Sequence, residues 1–98
     1  MQRETAYSRE AAEILAIDVL GWLASEQDLL DVFMGSTGAS REDLRQRLGD
    51  GEFLGSILDF LMMDDRWVMG FCDARSLPYS APGRARIALP GGQPVNWT

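Results

Sequence analysis

The stretch from Phe53 to Cys72 is close to continuously apolar and is cut by an acid pair, Asp64-Asp65. A helix that spans a bilayer needs about 20 apolar residues in a row, and the pair divides this run into two pieces too short for that. At about 100° per residue, Phe53, Leu54, Ile57, Leu58, Phe60, Leu61 and Met62 cover about 200° of a helix surface. Gly55, Ser56, Asp59 and Met63 are left for the remaining side. Such a pattern predicts two short, largely buried helices hinged at Asp64-Asp65. The rest of the chain then has to supply the surfaces that bury them.

Signals for further helices are spread along the chain. Ser8 is a plausible N-cap for a first helix. Ala11, Ala12, Leu15, Val19, Trp22 and Leu23 form one broad face of it, and Ile14, Ile17 and Gly21 a second, narrower stripe. Two apolar sides predict a helix packed on both of them. Ser25-Glu26-Gln27-Asp28 has capping-box spacing and predicts a second helix carrying Leu29, Leu30, Val32 and Phe33, stopped by Gly35-Ser36-Thr37-Gly38. Ser40-Arg41-Glu42-Asp43 repeats the start signal for a short third helix ending at Gly49. Asp50 caps the fourth, which runs to about Asp64, and Asp64 or Asp65 caps the fifth, which Leu77-Pro78 ends. Ser80 opens a sixth that reaches about Leu89 before Pro90-Gly91-Gly92. No segment has strand periodicity. The expected fold is all-α, a compact orthogonal bundle of five or six short helices with no sheet. Residues 8–92 form a single domain, with a flexible N-terminus at 1–7 and a flexible tail at 93–98.

Composition narrows the chemistry. The 98-residue chain carries a net charge of -6, no histidine, and arginine as its sole cation. An acidic chain is poorly suited to displacing counterions from nucleic acid or to docking on an anionic membrane. Without histidine or lysine it lacks the commonest general base, the commonest metal ligand and the Schiff-base amine. One cysteine, Cys72, forms no intramolecular disulfide, which with the absence of an apolar leader points to the cytoplasm. No cofactor and no metal are expected, and no catalytic residue is assigned.

Four sets of residues are candidates for chemistry or binding. Asp59, Asp64 and Asp65 lack the alternating oxygen ligands of a cation loop, and capping accounts for Asp64 and Asp65. Asp59 breaks a very apolar helix; it either caps a neighbour or pairs with an arginine such as Arg66 or Arg41. Alternatively, the strip it shares with Gly55, Ser56 and Met63 receives a partner helix. Asp18, one turn before Trp22, accepts a hydrogen bond at the core edge or stands as an isolated acid. Cys72 reads as a buried structural thiol. Residues 29–48 resemble a helix-turn-helix in outline, with Arg41, Arg45, Gln46 and Arg47 able to face base edges. Against that, residues 28–50 hold Asp28, Asp31, Glu42, Asp43 and Asp50 beside those arginines.

Trp22-Leu23, the Leu58-Asp59-Phe60-Leu61 run before Asp64-Asp65, and the closing Leu89-Pro90-Gly91 resemble a family of small alphaproteobacterial proteins, the domain of unknown function number 3572. The similarity extends from about Ser8 to Gly92 and leaves Asn96-Trp97-Thr98 outside it. It implies a stand-alone, helical, bacterial cytoplasmic protein and brings no catalytic residues with it.

The resulting expectation is a non-enzymatic protein-interaction or regulatory adaptor module. Its candidate contact residues are Ile14, Ile17, Gly21, Gly55, Ser56, Asp59, Met63 and Met69, facing an unknown protein partner or a second copy. A DNA-binding regulator built on residues 29–48 is the alternative.

Overall fold

The computed structural model describes residues 6–26 and 28–92. Their order is α1 (Arg9–Ser25), α2 (Leu29–Thr37), α3 (Arg41–Gln46), α4 (Gly51–Leu61), α5 (Asp65–Arg75) and α6 (Ala81–Ile87), with no strand among the described residues. The fold is all-α, and no helix is long and apolar enough to cross a membrane among the residues described. The tail expected at 93–98 and residues 1–5 of the expected flexible N-terminus lie outside the described residues.

Side-chain caps set most of the boundaries. The Ser8 hydroxyl accepts from the Ala11 amide, and Ser40 and Asp43 form a reciprocal capping box. Asp50 accepts from the amides of Glu52 and Phe53, and Asp64 from that of Arg66. Each satisfies amides that a helix start leaves without partners. Gly38 ends α2 at φ 76°, a left-handed turn that glycine enters without cost. Several expected limits shift. Ser25 closes α1 instead of opening α2, because its hydroxyl donates back to the Trp22 carbonyl. The N-cap of α2 is Asp28, which makes no capping bond there. The third helix stops at Gln46, short of Gly49, and α4 stops at Leu61, short of Asp64.

The core forms where α4 meets α1 and α6. Ile57, Leu58 and Leu61 of α4 are fully enclosed with Val19 and Leu23 of α1 and Ala85 of α6. Phe33 joins α2 to this centre through edge-to-face contacts with Phe53 and Phe60, at 6.0 and 5.4 Å between ring centroids. Phe60 also stacks on Trp67 at 4.8 Å, which ties α5 to α4. Such ring pairs add about 0.5–1.5 kcal/mol each beyond the area they bury.

The first helix is not enclosed on two sides. Its Ala12–Val19–Leu23 face is buried, but Ile14 and Ile17 are exposed, at 68% and 41%, and Gly21 is exposed beside them. The sequence cannot distinguish a second buried stripe from an apolar stripe left on the surface, since both have the same period. Tyr7, expected in the loose N-terminus, is instead half-buried, with the Arg84 guanidinium 5.2 Å from its ring centroid.

Candidate functional site

Asp59 is not paired with Arg66 or Arg41. Its carboxylate accepts from Nε and Nη2 of Arg86, at 2.8 and 3.2 Å, across 27 residues of sequence. Arg66 is taken by Asp64 at 2.8 Å. The Arg86 guanidinium also donates to the Pro90 carbonyl at 3.0 Å, and its side chain is only 16% exposed. Gly55 makes this possible: a Cβ there would lie 2.8 Å from Nη1 of Arg86. Of the strip of Gly55, Ser56, Asp59 and Met63, read from sequence as open to a partner helix, Gly55 is therefore covered by an arginine of the same chain, while Asp59 and Met63 stay exposed. Ser56 is half-buried and donates to the Phe53 carbonyl at 2.6 Å.

The other candidate residues separate into distinct places. Ile14, Ile17 and Gly21 lie together on the outer face of α1. Met63, 74% exposed, sits in the turn after α4. Met69 follows Trp67 by two residues and so projects from nearly the opposite side of α5; it is 39% exposed.

Asp18 accepts from Nε and Nη2 of Arg75, with contacts of 3.0–3.1 Å across 57 residues of sequence. This bridge holds the guanidinium of Arg75 more firmly protonated than usual, and the same group lies 5.4 Å from the Phe71 ring centroid. Asp18 is thus a helix-to-helix anchor. Cys72 is fully buried, and burial, with help from the Asp73 carboxylate, pushes its thiol pKa up, away from nucleophilic chemistry. Asp73 also accepts from the Tyr79 hydroxyl at 2.8 Å, which raises the pKa of that phenol. Among the described residues, no three acidic or thiol side chains converge as metal ligands.

The helix-turn-helix outline keeps its two helices, but α3 is only six residues long. Its basic face is also interrupted. Arg45 lies 3.8 Å from Glu42, Gln46 donates to Glu42, and Arg47 bridges to Asp50 at 3.0 Å while lying over the Phe53 ring. Those acids offset the charge that phosphate contacts would require.

A feature with no signal in the sequence is an open groove of about 420 Å³ between the end of α1 and the starts of α2 and α5. Trp22, Leu29, Trp67 and Gly70 form its apolar walls, and Glu26, Asp28 and Arg66 its polar margin. The helices α1 and α5 run antiparallel here, since Asp18 meets Arg75 while Trp22 meets Phe71 and Gly70. A Cβ on Gly70 would lie 3.0 Å from the Trp22 indole. These residues come from three distant segments, and no local spacing links them.

A family model described as protein of unknown function (DUF3572) matches residues 9–92, and the chain belongs to that family. No curated protein and no solved structure matches it.

Proposed function

We propose that this member of the family is a non-enzymatic protein-interaction module, working in the cytoplasm as an adaptor or regulator. The observation that carries the reading is the outer face of α1, where Ile14 and Ile17 stand exposed on one stripe beside Gly21. An apolar stripe with a small residue at its end suits close approach by another protein surface. The two acids with the strongest claim on chemistry support the same view, since Asp18 and Asp59 each neutralise an arginine. A buried, unpaired Cys72 fits a reducing compartment.

The test is photocrosslinking in the producing cells, with a photoreactive residue in place of Ile14. The expected result is one defined crosslinked species, either a second copy or a single other protein, that disappears when Ile17→Glu is added. Because Ile14 and Ile17 are exposed, both variants should keep the wild-type urea midpoint to within about 0.5 kcal/mol. Absence of any crosslinked species from the folded protein would remove the support for this face.

A further inference from the structure

The groove at the end of α1 has a chemistry distinct from that of the Ile14–Ile17 face. Its floor is aromatic. Trp67 is held by stacking on Phe60, and Trp22 by an edge contact with Phe71 at 6.1 Å and by the missing side chain of Gly70. Both indoles are therefore fixed by the core before anything binds. At the margin stand Glu26 and Asp28, and neither carboxylate meets a hydrogen-bond or ion-pair partner among the described residues. The one cation of the margin, Arg66, is already held by Asp64 through Nε and Nη2, at 3.2 and 2.8 Å. The starts of α2 and α5 carry their own acids, Asp28 and Asp31 in one and Asp64 and Asp65 in the other, which offset the positive ends of those helices. The end of α1, its negative pole, has no basic residue in its last turn. The groove is thus negative in sum, with flat aromatic walls.

We propose that this groove binds an arginine side chain presented by a basic segment of another protein. The guanidinium lies against the Trp67 indole, where a cation is attracted by the ring face. Its N–H groups donate to Glu26 and Asp28 in the forked manner that suits a planar guanidinium and not an ammonium. A volume of about 420 Å³ admits an arginine side chain with part of the backbone that carries it. Leu29 and Trp22 cover the aliphatic stem. The groove is a separate surface from the outer face of α1, so either assignment stands if the other fails.

The test follows the three indole N–H signals of the intact, uniformly labelled protein by NMR, with Trp67→Phe and Trp97→Phe used to assign them. The probe is the capped peptide Gly-Arg-Gly-Arg-Gly, compared with versions carrying lysine or the neutral isostere citrulline in place of arginine. Inorganic phosphate is added as a separate arm. The arginine peptide should move the Trp22 and Trp67 signals saturably, and the lysine and citrulline versions should bind at least about tenfold more weakly. Combining Glu26→Gln with Asp28→Asn, both exposed positions, should weaken the arginine peptide by a similar factor and leave the rest of the spectrum in place. Equal binding by citrulline or lysine, an unchanged affinity in the double variant, or a response to phosphate in place of the peptide would each overturn the assignment.

Discussion

Two seams of the molecule are closed by the same device, a forked arginine–aspartate bridge between distant helices, and they end in opposite states. At the α4–α6 seam, Arg86 is sunk to 16% exposure, bound to Asp59 and to the Pro90 carbonyl, with Gly55 and Gly92 making room around it. At the α1–α5 seam, Arg75 stays 36% exposed, bound to Asp18 and lying beside the Phe71 ring. Small residues are present at both. On the first seam they admit a charged group that brings its own partners and completes the closure. On the second, Gly70 admits the Trp22 ring, which fills space, while the carboxylates of Glu26 and Asp28 meet no partner among the described residues. An apolar wedge closes a core and leaves a polar margin open, whereas a charged one closes both. Both proposed binding surfaces, the outer face of α1 and the groove at its end, lie on that side.

The largest effect expected from this contrast belongs to Gly92→Ala. A Cβ there would run into the backbone carbonyl of Arg86, which no rotamer change can relieve. Overpacking of this kind should cost about 2–3 kcal/mol in urea denaturation. A wild-type midpoint would mean that Gly92 does not close on Arg86 of α6 as described.

The next effect compares the two bridges directly. Arg86→Met removes a largely buried guanidinium from its exposed partner Asp59 and leaves the Pro90 carbonyl without its donor, and should cost about 1–2 kcal/mol. Arg75→Met should give a clearly smaller midpoint shift, because both partners of that bridge are well exposed to solvent and screened by it. Equal shifts would erase the distinction between the seams.

Much of this architecture is legible in the sequence, and what is not has a common cause. A bundle of five or six short helices, of which the described residues form six, the caps at Ser8, Ser40, Asp50 and Asp64, and the buried face of α4 all follow from local spacing. Cap chemistry and helical period act within a turn or two, so they are written locally. The partner of Asp59 lies 27 residues away, and that of Asp18 lies 57 away. Which arginine reaches which acid depends on how the helices cross, and no spacing encodes that. The same limit hid the Trp22–Trp67 groove. It also made the Ile14–Ile17 stripe look like a second core face, because apolar period reports a face but not what covers it.

The smallest effect concerns acid, and it separates the two sides of the molecule by their caps. Asp50 starts α4, and Asp64 starts α5 at the margin of the groove. Both carboxyls are held below their ordinary value of 3.8, first by the arginines beside them, Arg47 and Arg66, and then by the backbone amides they cap. A depressed pKa in the folded state contributes stability that is fully present above the unfolded value and is lost as pH falls through the folded one. Acid should therefore weaken the protein progressively below about pH 4. Asparagine still accepts the capping hydrogen bond but does not titrate. Asp50→Asn and Asp64→Asn should each start from a slightly lower urea midpoint at neutral pH and lose less of it on acidification than the wild type. Comparable flattening in both variants would show that each side contributes to the acid limb through its own arginine-backed cap. Flattening by Asp50→Asn alone would assign the limb to the closed side and leave α5, with the groove it borders, insensitive to the state of its cap.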